Sequence, residues 1–141
     1  MRAVLAATLI AFGFPLAGCV TSGPEFQAAV SEVFAKQQPA TQAERAAIRQ
    51  SVQTTFKDPY SVRDARISNA MFYTKNGRSS DRYVCISANA KNSYGAYVGI
   101  QFSEYRLRNG SVVEVLDNRK EGACLDARLR YAPFPELNGR G

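Results

Sequence analysis

Histidine is absent from all 141 residues, and with it go the commonest general base and the commonest metal ligand. No glycine-rich phosphate loop is present. Asp64, Asp81, Glu104 and Glu114 are scattered, with no spacing that predicts a paired acid and base. Catalysis, a metal and a cofactor are therefore not expected. Internal repeats and low-complexity tracts are missing too. The longest apolar run, Ala3 to Phe14, falls short of the ~20 residues that cross a bilayer as a helix. Cysteine is scarce, at three residues.

That apolar run has a clear use. Arg2 precedes it, Pro15 breaks it, and Leu16-Ala17-Gly18 leads directly into Cys19. A charged start, a short apolar core and small residues at a cut make a secretory signal. The last four residues resemble a bacterial lipobox, which implies cleavage before Cys19 and lipid on its sulfur and amino group. Such lipoproteins carry three acyl chains, enough for stable anchoring where one chain is marginal. Val20, in place of an aspartate, resembles the outer-membrane sorting pattern. The expected location is the periplasmic face of the outer membrane. Residues 1–18 are thus signal peptide, 19–23 a lipidated tether, 24–131 one domain and 132–141 a loose tail.

Cleavage removes Arg2, leaving 17 basic side chains against 12 acidic ones. Outside the cytoplasm such a balance either serves solubility alone or points to an anionic envelope glycan, a lipid head group or an envelope protein rather than nucleic acid. With Cys19 committed to lipid, Cys85 and Cys124 are an even pair in an oxidising compartment and read as a disulfide.

Two helices come first. Ser22-Gly23-Pro24-Glu25 and Thr41-Gln42-Ala43-Glu44 both match a capping box. Phe26, Val30, Val33 and Phe34 form the stripe of a helix ended by Pro39. Ile48, Val52 and Phe56 form that of a second helix over residues 42–56. Lys57-Asp58-Pro59 stops it. The period then changes to two. Four strands are expected over 62–74, 82–90, 96–105 and 111–116, with hairpin turns at Asn76-Gly77 and Asn109-Gly110. Ile67, Met71 and Tyr73 should share a face, as should Val98, Ile100 and Phe102. The fold class is α+β: two N-terminal helices packed across one face of a four-stranded antiparallel meander.

Two segments carry a further resemblance: Lys57-Asp58-Pro59-Tyr60-Ser61, and the run from Cys85 through Asn89-Ala90-Lys91-Asn92 to Tyr94-Gly95-Ala96-Tyr97-Val98-Gly99. Together with Phe102 they resemble a group of small bacterial envelope lipoproteins, often with glycine where Ile86 stands here. The resemblance implies a shared fold rather than a shared activity. Physically, the run is rich in recognition groups. Lys91 offers charge, Asn92 donors and an acceptor, Tyr94 a flat face. Those three are the candidate ligand-binding residues, set against the alternative that Asn and Gly merely build a tight turn. The functional expectation is an outer-membrane-anchored binding or assembly module. A second reading is an inhibitor of a periplasmic hydrolase such as lysozyme, disfavoured because lysozymes are themselves often basic.

Overall fold

The computed structural model describes residues 23–72, 81–117 and 119–139. Cys19 and the leader, Tyr73, Thr74 and the Asn76-Gly77 turn lie outside the described residues.

Helix α1 spans Pro24–Ala35, and α2 spans Gln42–Thr55. Both halves of the second capping box form: Thr41 Oγ1 accepts from Glu44 N at 3.2 Å, and Glu44 Oε2 accepts from Thr41 N at 2.8 Å. At α1 the expected box is not what starts the helix. Gly23 is the N-cap, with no side-chain bond, and Pro24 opens the first turn with the φ a helix requires.

The sheet has six strands, not four. They are β1 (Asp58–Ser68), β2 (Met71–Phe72), β3 (Arg82–Lys91), β4 (Tyr97–Arg108), β5 (Ser111–Leu116) and β6 (Tyr131–Pro133). The order is β5-β4-β3-β1-β6, with β2 also on β3, and every pairing is antiparallel. The expected first strand is two strands. A break at Asn69-Ala70, where Gln38 and Ala70 exchange backbone bonds, separates β1 from β2. It also puts Ile67 and Met71 in different clusters rather than on a shared face.

Alternation along β3 divides the core. Val84, Ile86 and Ala88 pack with Ile48 and Val52 of α2, Tyr105, Leu107 and Phe134. Cys85, on the opposite face, packs with Phe34 of α1, Met71, Cys124 and Leu129. The two helices thus contribute to opposite faces, not to one. The first is called face A below and the second face B.

Residues 132–139, expected to belong to a loose tail over 132–141, are built into the domain. β6 pairs with β1, Phe134 is fully buried and Leu137 nearly so. Phe134 N bonds Ala65 O at 2.8 Å, Gly139 N bonds Val62 O at 2.7 Å, and Asn138 Oδ1 accepts from Ala65 N at 3.0 Å. Prolines 133 and 135 are compatible with this because an edge strand and a 3-10 turn can do without their N–H groups. Arg45 of α2 ties this segment down, donating from Nε and Nη2 to Glu136 and stacking over Phe134 at 4.6 Å.

Candidate functional site

The two segments singled out in the sequence meet at one corner of the sheet, where Asp58 pairs with Lys91. Most of their polar side chains are occupied in bracing backbone. Ser61 Oγ accepts from Lys91 N and donates to Asp58 O, both at 2.8 Å. Asp58 Oδ1 accepts from Ser61 N at 3.2 Å, and the Tyr97 hydroxyl donates to Ser61 O at 3.0 Å. Asn92 Oδ1 accepts from both Tyr94 N and Ala96 N, at 2.9 and 3.1 Å. Asn92 therefore has a structural task, holding the β3–β4 turn closed. Tyr94 stands at the tip of that turn, 93% exposed. Lys91 is half-buried, its ammonium 5.5 Å from the centre of the Tyr97 ring.

Both strands beside β3 are irregular here: β1 shifts register between Asp58 and Arg63 and again between Arg63 and Arg66, and β4 shifts once, between Tyr97 and Ile100. Arg63 and Arg66, three residues apart, pair with Asn89 and Ser87, only two apart. The extra residue in β1 falls beside Asp64, whose φ is +56°. On the other side, Tyr97 and Ile100 are three apart and pair with Lys91 and Asn89. Here the extra residue includes Gly99, at φ +89°, and Asn89 Oδ1 accepts its N–H at 3.1 Å. A side chain at that φ would be strained, which is why glycine stands there.

The bulges change which side chains share a face. In unbroken strands, residues three apart point to opposite sides. Here Arg63 and Arg66 both reach face B, and so do Tyr97 and Ile100. Val98 is sent to face A, where it lines a groove with Ala88, Ala90 and Gln101. The expectation that Val98, Ile100 and Phe102 share a side fails for this reason.

Face B thus presents successive rows: Lys91 with Tyr97, then Arg63 with Asn89 and Ile100, then Arg66 with Ser87 and Phe102. The Arg63 guanidinium lies 3.6 Å from the centre of the Tyr97 ring, and Arg66 Nη2 donates to Tyr131 O at 3.1 Å. Tyr97, Ile100, Arg63 and Arg66 are exposed. Their far end opens into a shallow groove of about 500 Å³, whose walls include Arg66, Ile100, Phe102, Leu125 and Tyr131. Burial pushes the Tyr131 hydroxyl's pKa up.

The next row is closed. Cys85 and Cys124 form a disulfide, with S–S 2.04 Å and Cα–Cα 5.5 Å, and both residues are buried. Glu104 lies beside it, an oxygen 3.8 Å from Cys124 Sγ. Burial raises the Glu104 pKa, and the charge of Arg119 partly opposes the rise. Among the described residues these three are spaced as metal ligands could be. The sulfurs, however, are bonded to each other and are not free thiolates.

The sequence reading named Lys91, Asn92 and Tyr94 as candidates and did not name Arg63, Arg66 or Ile100, which lie on the same face as Lys91. The period-two pattern concealed them, since their odd spacing assigns them to alternate faces. Only Gly99 carried a hint, because an isolated glycine inside a strand pattern marks a bulge. Compared with protein-family models, curated proteins and solved structures, the chain matches none of them.

Proposed function

We propose that this chain is an envelope lipoprotein, anchored in the outer membrane through lipid on Cys19, that binds an anionic glycan on the open half of face B. The observation that carries the binding reading is the pair of bulges between Arg63 and Arg66 and between Tyr97 and Ile100. They put Arg63, Arg66, Tyr97 and Ile100, all exposed, on one face beside the half-buried Lys91 and Phe102. Bulges are over-represented where a strand must re-aim a side chain at a functional site. Sugar rings stack on flat aromatic faces, while carboxylates and phosphates suit guanidinium forks. A sheet braced by Ser61, Asn89 and Asn92 presents these groups with little conformational freedom left to lose.

Tyr94, 93% exposed, stands at the tip of the adjoining β3–β4 turn. Lys91 and Tyr94 keep the recognition role assigned to them above. Asn92 contributes by shaping the turn.

The test is retention on immobilised cell-wall and lipopolysaccharide fragments. Arg63→Ala with Tyr97→Ala should lose retention while the far-ultraviolet spectrum stays native. Retention at the wild-type level would place the binding surface elsewhere. Fatty-acid labelling of the wild type but not of Cys19→Ser checks the anchor separately.

A further inference from the structure

We propose that the exposed apolar stripe of α1 rests on the lipid bilayer and serves as a footing for the domain. This builds on the reading of Cys19 as lipid-bearing. Helix α1 is fastened at its C-terminal end. Phe34, its one buried residue, sits under the Arg128 guanidinium at 4.5 Å. Gln37 Nε2 donates to Phe34 O and Arg128 O at 2.7 and 2.9 Å, and Gln37 Oε1 accepts from Arg130 N at 2.9 Å.

Val30 and Val33 pack partly against the disulfide cluster, whereas every residue from Pro24 to Ala29 is exposed. Phe26 is 59% exposed, and with Ala29, Val30, Val33 and Phe72 it lines an open trough of about 630 Å³. At its rim Glu32 and Lys36 pair with each other, leaving no net charge there. An apolar, electrically neutral trough suits hydrocarbon more than any charged surface.

Position in the chain identifies the occupant. Four residues separate Cys19 from Pro24, a reach of about 15 Å at full extension. Phe26 follows in the first turn, and a 12-residue helix is only about 18 Å long. Once Cys19 carries lipid, the whole stripe is confined to the first few nanometres above the membrane. Tethering at that distance gives a high effective concentration, so even weak partition of the stripe seats it. An interfacial helix of this kind buries its apolar face about 5–10 Å into the headgroup boundary.

The chain has no tryptophan, so Phe26→Trp creates a sole reporter. The full-length lipidated variant is reconstituted into zwitterionic vesicles whose acyl chains carry bromine, and vesicle-bound protein is isolated by flotation. Its emission should move to the blue and fall roughly twofold. Because the contact is apolar, ~0.5 M salt should leave both changes intact. Ala29→Trp tests the same stripe at a second position, and Val113→Trp, exposed on β5, should remain unquenched. If the Phe26→Trp and Ala29→Trp proteins float with the vesicles and are not quenched, the footing is overturned and the anchor stands. If the wild-type protein fails to float, the anchor reading falls and the footing falls with it.

Discussion

Replacing Cys85 and Cys124 together by alanine cuts the one covalent link between the centre of the sheet and the segment that covers face B. The bridge joins residues 39 apart in sequence. On the chain-entropy model a closed loop of about 40 residues restricts the unfolded state by roughly 4 kcal/mol at 25 °C. Both cysteines are buried in the cluster of Phe34, Met71 and Leu129, so lost packing adds to that figure. A domain of this size is stable by about 6–18 kcal/mol in all, which makes the bridge a large share. The expected fall in melting temperature is roughly 12–20 °C. Urea unfolding of the oxidised wild type and the double variant, followed by far-ultraviolet circular dichroism, reads the difference directly. Unfolding free energies that agree to within about 1 kcal/mol would refute the reasoning. So would labelling of both cysteines by a thiol reagent in unreduced, denatured wild type.

The β3–β4 turn separates a structural residue from an exposed one. Asn92→Ala should cost about 1–2 kcal/mol, since two backbone N–H groups lose their acceptor, whereas Tyr94→Ala should leave the thermal melt unchanged. Glu104 sets a pH dependence. Its folded pKa is raised above its ordinary value of 4.5 by burial, so stability should increase as pH falls from neutral toward that value. Glu104→Gln should abolish the rise and melt higher than wild type at pH 7; an unchanged profile would refute this. Asp126 acts in the opposite sense at lower pH. Hydrogen bonding to Arg128 holds its pKa down to about 2, so its contribution should persist above pH 4 and fade toward pH 2, and Asp126→Asn should weaken that acid limb. Gly139→Ala tests the C-terminal segment. A Cβ there would lie 1.6 Å from Tyr60 O, so limited proteolysis should release the residues after β6 in the variant and spare them in the wild type.

The sequence by itself determined the features that depend on near neighbours or on counting. Thr41 and Glu44 start α2 because the two partners of a capping box lie three residues apart. Asn109-Gly110 closes the β4–β5 hairpin because both residues accept positive φ, here +51° and +79°. The alternation of Val84, Ile86 and Ala88 with Cys85 in β3 is an unbroken period of two. The disulfide partners followed from a cysteine count once Cys19 was set aside as the expected lipid site.

Tertiary structure decided what depends on phase and on distant partners. The break at Asn69-Ala70 is stabilised by Gln38 on Ala70 and Arg130 on Asn69, 32 and 61 residues away in sequence. Helices α1 and α2 go to opposite faces because Phe34 finds the disulfide cluster while Ile48 and Val52 find the other side of the sheet. Residues 131–139 look like a tail in isolation, because Pro133, Pro135 and the glycines carry no pattern of their own. They become strand and core only when β1 offers a free edge and Val62, Ala65 and Tyr60 are already in place. The site itself is the clearest case. Which face Arg63, Arg66, Tyr97 and Ile100 occupy is set by one extra residue in each strand beside β3. A bulge is defined against its partner strand, so no residue pattern within a single strand fixes it.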